Sequence, residues 1–392
     1  MVVPALILLT LYQEGPSQGD KAPLQVGSCA GEVKPGDPLL SNYPTEPIAY
    51  QDRSWTRLFA ADFDLDGDLD IFAMPNSNVG VLLRNDGHAG FSLHSDSFTF
   101  PDHSDVLIGD ISGDQRPDVV TCGAFDGIHV RLGHQEQMLL PGKHLDARSA
   151  FITNIFLTNW DGVPGDEIIW SADDSDTLYC ASLQGERWRV RSLAADWYSN
   201  GFELAAGDLN ADGRPDLILM GTDRVQFQTP AGKVQEGPSV GEECTVSGAG
   251  DFDRDGRCDL LVACPAREAC LILTLSAAGS WVERGSFPLY GHDADLQIAD
   301  MNADGQPDLC VRQQGYYDMG CFGGKAGWKK PCNWQVLLRN QDGWTLRESP
   351  PVLDSVPYPG LVACLDEGAL PDLLFRAPKG AGYLLVRDPL RP

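Results

Sequence analysis

The stretch Asp62-Phe63-Asp64-Leu65-Asp66-Gly67-Asp68-Leu69-Asp70 decides the reading of this chain. Acids stand at positions 1, 3, 5, 7 and 9, glycine at 6, and an apolar run follows. One such segment could be a solvated surface turn. Four further copies change that: Asp110-Ile111-Ser112-Gly113-Asp114-Gln115-Arg116-Pro117-Asp118, Asp208-Leu209-Asn210-Ala211-Asp212-Gly213-Arg214-Pro215-Asp216, Asp251-Phe252-Asp253-Arg254-Asp255-Gly256-Arg257-Cys258-Asp259 and Asp300-Met301-Asn302-Ala303-Asp304-Gly305-Gln306-Pro307-Asp308. Two eroded copies, Asn159/Asp161/Asp166 and Asp366/Asp372, complete a series of seven. Starts recur about every 43 to 50 residues, except that the last interval is longer. A fixed period of this size is the signature of propeller blades.

The flanks are strand-like. Before the loops come apolar stretches ending in small residues, such as Leu58-Phe59-Ala60-Ala61 and Leu204-Ala205-Ala206-Gly207. After them come runs such as Leu217-Ile218-Leu219-Met220, then further apolar segments closed by turns such as Asn85-Asp86-Gly87. No stretch carries a long helical period. The expected fold is all-β, a seven-bladed β-propeller with calcium-binding loops between the first and second strands of the blades. The propeller would occupy residues 25–392, with an insertion at about 313–333. The last repeat stops one strand short of a blade, so residues 25–50 are expected to supply that strand and close the ring. Residues 1–24 read as a signal peptide or flexible leader: Val2–Leu11 is apolar but lacks a basic flank and a cleavage signature.

Calcium is a hard cation that takes about six to eight oxygen ligands. Each loop offers side-chain oxygens at positions 1, 3, 5 and 9 and a backbone carbonyl at position 7. The expected ligands are Asp62, Asp64, Asp66 and Asp70 with the Asp68 carbonyl; Asp110, Ser112, Asp114 and Asp118 with that of Arg116; Asp208, Asn210, Asp212 and Asp216 with that of Arg214; Asp251, Asp253, Asp255 and Asp259 with that of Arg257; and Asp300, Asn302, Asp304 and Asp308 with that of Gln306. Gly at position 6 permits positive φ, so Gln115 is expected to strain its turn. The two eroded copies are expected to keep the turn without metal. An EF-hand is excluded, because position 12 is Ala73, Thr121, Leu219, Val262 or Val311 rather than a bidentate Glu.

The formal net charge is −27. It argues against nucleic-acid partners and for cations. Eleven cysteines carry no C-x-x-C pair. Cys264/Cys270 and Cys321/Cys332 are spaced for local disulfides, which would imply an oxidising compartment; the alternative is buried thiols. No stretch is long enough for a transmembrane helix.

These loops resemble the FG-GAP and VCBS repeats of integrin α-subunit propellers and of many bacterial extracellular proteins. The resemblance spans about Arg57 to Val386, although the literal Phe-Gly and Gly-Ala-Pro segments are replaced by small pairs such as Ala206-Gly207 and Ala249-Gly250. It implies calcium held by the loop oxygens, and a secreted or cell-surface protein. The expected function is a monomeric module for glycan or protein binding and adhesion. The alternative is a calcium-dependent polysaccharide lyase, with a base such as His103 or His292. None of the seven histidines forms an i,i+4 pair, and no nucleophile motif is present. The ligand-binding candidates are Tyr316, Tyr317, Trp328 and Trp334, in and beside the insertion, where aromatics mix with Lys325, Lys329 and Lys330.

Overall fold

The computed structural model describes residues 57–386 apart from 75–78, 89–90, 95–97, 101–104, 124–126, 146–151, 173–174, 194–203, 221–223, 231–233, 242–243, 253–254, 277, 289–293, 303, 305–307, 314–316, 319–326, 329–332, 341–342, 349–359, 364–371 and 377–382. The described residues form an all-β propeller of antiparallel sheets that follow one another along the chain, with a short two-stranded ladder interposed within the second and the sixth. Sheet 1 comprises Arg57–Ala61, Asp70–Met74, Val79–Asn85 and Phe91–Leu93, with Phe98–Thr99 added against the third strand. Sheet 2 comprises Asp105–Gly109, Asp118–Gly123, Gly127–Arg131 and Lys143–Leu145, and sheet 3 comprises Ile152–Thr158, Glu167–Ala172, Ser175–Gln184 and Arg187–Ser192. Sheet 4 comprises Leu204–Gly207, Asp216–Met220, Arg224–Gln228 and Val234–Ser239. Sheet 5 comprises Thr245–Gly250, Asp259–Cys264, Ala269–Leu275 and Trp281–Pro288. Sheet 6 comprises Ala294–Ala299, Asp308–Gln313, Asn333–Asn340 and Gly343–Glu348.

Six blades are therefore complete, where the sequence suggested seven. Gly360–Ala363, Asp372–Arg376 and Tyr383–Val386 form a further sheet of three strands. Its expected fourth strand, from residues 25–50, lies outside the described residues. The first strand of this sheet touches the first strands of both sheet 6 and sheet 1, so the circuit closes through it.

The second strands explain the apolar runs after the loops. Asp70–Met74, Asp118–Gly123 and Asp259–Cys264 are buried at every residue, because each lies between two neighbouring blades. The outer strand Trp281–Pro288 is largely exposed. Hydrophobic clusters form between blades. Phe72, Phe98 and Phe100 of blade 1 pack on Val106 and Val119 of blade 2. Ile218 and Val225 of blade 4 pack on Leu260 and Val262 of blade 5. The loops share this core through position 2: Phe63, Ile111, Trp160, Leu209, Phe252 and Met301 are all buried.

The cysteines depart from expectation. Cys264 is disulfide-bonded to Cys244, not to Cys270, with the two Cα atoms 4.3 Å apart. Cys122, Cys180, Cys258, Cys270 and Cys310 are buried free thiols. They pack as small apolar side chains. Cys321 and Cys332 lie outside the described residues. Among the described residues no helix is long and apolar enough to cross a membrane.

Candidate functional site

Each aspartate loop joins the first strand of a sheet to the second, and a shared set of hydrogen bonds shapes it. The position-1 carboxylate accepts backbone N–H groups from positions 5 and 6: Asp66 and Gly67 donate to Asp62, Asp212 and Gly213 to Asp208, and Asp255 and Gly256 to Asp251. Asp114 and Gln115 likewise donate to Asp110, and Asp304 to Asp300. The position-5 carboxylate accepts from the N–H of position 7, as in Asp66 with Asp68 and Asp114 with Arg116.

The position-9 aspartates are the buried members. Asp70, Asp118, Asp216, Asp259 and Asp308 are at most 1% exposed. One oxygen accepts the N–H of position 2, donated by Phe63, Leu209, Phe252 or Met301. In the second loop the Ser112 N–H donates as well. The other oxygen reaches the third strand or the residues just after it, accepting from Asn85, Gly133, the Thr274 hydroxyl or Arg339. Position 9 thus ties loop to blade. Burial is the main cause that pushes the Asp70 and Asp308 carboxyls up to about 6, and those of Asp118 and Asp216 to about 7.

Two positions carry left-handed backbone. Position 6 does so through Gly67, Gly213 and Gly256, and through Gln115 at φ 70°, as expected for that residue. Position 4 does so as well, at Leu65, Gly113, Gly162 and Ala211. Position 4 is not anticipated from the sequence, although glycine stands there in two of these four loops.

Among the described residues, the first loop gathers carboxylates as a cation would require. Ligand oxygens of Asp62, Asp64 and Asp70 lie within 4.8 Å of one another. A calcium ion with Ca–O distances of about 2.3–2.6 Å could touch all three. The Asp64 Oδ1 atom is buried with no hydrogen-bond partner, and so is Oδ1 of Asn210 at the same position of the fourth-blade loop. A buried oxygen without a donor is costly unless something else meets it. Arg84 forms an ion pair with the other oxygen of Asp64. Asp66 stands outside the carboxylate triad, its Oδ1 turned to the Asp68 N–H.

The third loop corrects the sequence alignment. Glu167, not Asp166, occupies position 9: it pairs with Thr158 as Asp70 pairs with Ala61, and accepts from the Trp160 N–H. Burial raises its carboxyl to about 7. Asp166 at position 8 faces the neighbouring blade. Its N–H donates to the Asp110 carbonyl, and its carboxylate accepts the Asp110 N–H at 3.0 Å. Cys258, also at position 8, donates to the Asp208 carbonyl in the same way. The small residues before the loops acquire a reason here. A Cβ on Gly207 would collide with the Cys258 sulfur, and one on Gly109 would lie 2.7 Å from an Asp166 carboxylate oxygen.

Other sequence candidates are placed less fully. Asp253, Gln306, Tyr316, His103, His292 and the seventh-loop Asp366 lie outside the described residues, and Asp372 begins the second strand of the three-stranded sheet. Within the insertion, Tyr317–Asp318 pairs with Gly327–Trp328 as a short antiparallel ladder, and Trp334 lies opposite Arg312 in sheet 6. His129 and the exposed His144 face each other across two strands of blade 2, ring centroids 4.9 Å apart. His129 helps line a cavity of about 340 Å³ with Thr99, Phe100, Arg131 and Gly142. There Arg131 ties blades 1 and 2 by donating to the carbonyls of Thr99 and Leu140.

Residues 251–311 match the FG-GAP-like repeat family. The molecule is thus a β-propeller carrying FG-GAP-like repeat sequence. No curated protein matches the sequence. Among solved structures it is similar to a lectin from Agrocybe aegerita, which specifically recognises non-reducing terminal N-acetylglucosamine. That likeness has a TM-score of 0.56 and 14% identity, over 78% of this chain and 83% of the lectin. It is also similar to BBS1N, solved in complex with ARL6DN, with a TM-score of 0.54 and 12% identity, over 88% of this chain and 95% of that one. At these identities the likeness is one of fold.

Proposed function

We propose that this chain is a calcium-stabilised, seven-bladed β-propeller that acts outside the cell as a binding and adhesion module for a glycan or protein. The observation that carries the calcium reading is the Asp62/Asp64/Asp70 triad, together with the unmet buried oxygens of Asp64 and Asn210. The same five loops account for much of the −27 charge, since divalent ions would offset it locally. The ions fasten the turn between the first two strands of each blade, and the Asn159 and Asp366 loops keep the turn without one. Recognition then belongs to a surface the loops hold rigid, with Tyr316, Tyr317, Trp328 and Trp334 in and beside the insertion as the leading candidates. The binding role draws support from similarly folded propellers, one a lectin and one solved with a protein partner. Extracellular placement rests on the apolar Val2–Leu11 segment and the Cys244–Cys264 pair.

Calorimetric titration of chelator-treated protein with calcium chloride tests the first half. Binding should be lost stepwise in Asp62→Asn and Asp208→Asn variants. A site held at about 100 times its dissociation constant stabilises by roughly 2.7 kcal/mol, so the melting temperature should fall clearly in excess EDTA. An unchanged melting curve would refute the calcium role. A glycan array with a parallel assay for unsaturated uronate tests the second half: binding without turnover supports the module, and turnover would make the protein a lyase.

A further inference from the structure

The outer strand of blade 3, Arg187–Ser192, reads Arg-Trp-Arg-Val-Arg-Ser. Arg187, Arg189 and Arg191 are exposed, while Trp188 and Val190 pack inward against the cluster between blades 2 and 3. The guanidinium groups of Arg187 and Arg189 therefore stand exposed on one face of a strand whose other face is packed. Their cross-strand partners are Gln184, Ser182 and Cys180, none of them acidic. Among the described residues neither Arg187 nor Arg189 has an ion pair. Arg191 is engaged inward: burial lowers its pKa, and Cys180, Glu167 and Asp161 together raise it by more. The nearest acid in sequence, Glu186, sits in the turn at one end of the strand.

Other outer strands are built differently. In blade 4, Glu236 is ion-paired with Arg224 at 2.9 Å, and the strand contains Pro238. In blade 5, Glu283 stands beside Arg284. The blade 3 strand is thus a basic strip on a chain of net charge −27. It ends its sheet, so its outer backbone groups have no partner strand among the described residues.

We propose that this edge binds an extended acidic peptide, which adds to blade 3 as a further strand and sets carboxylates at alternate residues against Arg187 and Arg189. The spacing favours a peptide over other polyanions. Alternate residues of a strand recur about every 6.6 Å on one face, and an added strand carries the same period. Opposite charges directly across paired strands attract, and main-chain hydrogen bonds supply affinity. A long nucleic acid would be repelled by the acidic remainder of the molecule. The proposal needs neither calcium nor the insertion, so it can fail while the preceding reading stands.

The test is fluorescence anisotropy with a labelled short peptide alternating glutamate and threonine, using the full chain in calcium buffer. A peptide of the same composition with contiguous glutamates, a heparin fragment and single-stranded DNA are measured beside it. The alternating peptide should bind best, weaken with added salt, and lose binding about tenfold or more in the R187E/R189E protein. R187Q/R189Q, which carries no reversed charge, should lose less, and both variants should melt like the parent. N-methylation of alternate peptide amides should abolish binding. Equal binding of both peptides, or arginine-dependent heparin or DNA binding of equal strength, would overturn strand addition in favour of nonspecific polyanion attraction. No binding of the alternating peptide would overturn the proposal outright.

Discussion

At the scale of single residues, the loops place demands that not every copy meets. Positions 4 and 6 both require positive φ, which glycine adopts freely and other residues adopt at a cost. Gln115 at φ 70° and Ala211 at φ 59° carry that cost. Gln115→Gly and Ala211→Gly should each stabilise the fold by about 0.5–1 kcal/mol, partly offset by the greater freedom of glycine in the unfolded chain. Urea titration of both variants in EDTA isolates the backbone effect from any metal. A loss of stability would show that the side chains matter more than the turn. From sequence the position-9 acids are expected only as metal ligands. The hydrogen bonds they accept from position 2 and from the third-strand side depend on where the third strand falls, which the sequence does not show.

At the scale of elements, blades are joined loop to loop. The small residue before one loop lies under position 8 of the next, as Gly207 lies under Cys258. Sequence reading recorded these small residues as a flank pattern but had no cause for them. Gly207→Ala should cost about 1–3 kcal/mol through forced separation of blades 4 and 5. Cys258→Ala should restore only part of that loss in the double variant, because it removes the colliding sulfur but leaves the Cys258 Cβ 2.9 Å from the new methyl group. Thermal melts of the two single variants and the double complete the cycle. Additive losses would mean that the contact is not the cause. The pairing of Cys264 was equally out of reach. Cys270 is closer in sequence, but Cys244 and Cys264 share the cluster between blades 4 and 5, whereas Cys270 packs with the cluster between blades 5 and 6.

At the scale of the whole molecule, buried acids link stability to pH. The carboxyls of Asp70, Asp118, Asp216 and Asp308 rise from 3.8 to about 6 or 7 on folding, chiefly through burial. The folded state therefore holds more protons than the unfolded chain between those values. Their stabilising protonation is fully present below pH 3.8 and is lost as the pH climbs through about 7. Mutual repulsion in a chain of net charge −27 acts in the same direction near neutrality. Metal-free protein should thus melt higher at pH 5 than at pH 8. Bound calcium needs ionised ligands, so the increment from added calcium should be larger at pH 8. Melting curves at both pH values, with EDTA and with calcium, test this. A metal-free protein less stable at pH 5 would contradict it.

The sequence by itself determined the propeller class, the period and the loop positions. A repeat of nine residues with fixed acids and a glycine encodes its own turn through local hydrogen bonds, as Asp62 does with Asp66 and Gly67. Everything that crosses between blades awaited the tertiary structure. Glu167 took position 9 and Asp166 turned to the neighbouring loop, a swap between adjacent acids that only strand register could settle. In the opening loop, oxygens of Asp62, Asp64 and Asp70 come within 4.8 Å of one another, a clustering that depends on how the loop folds back onto its second strand.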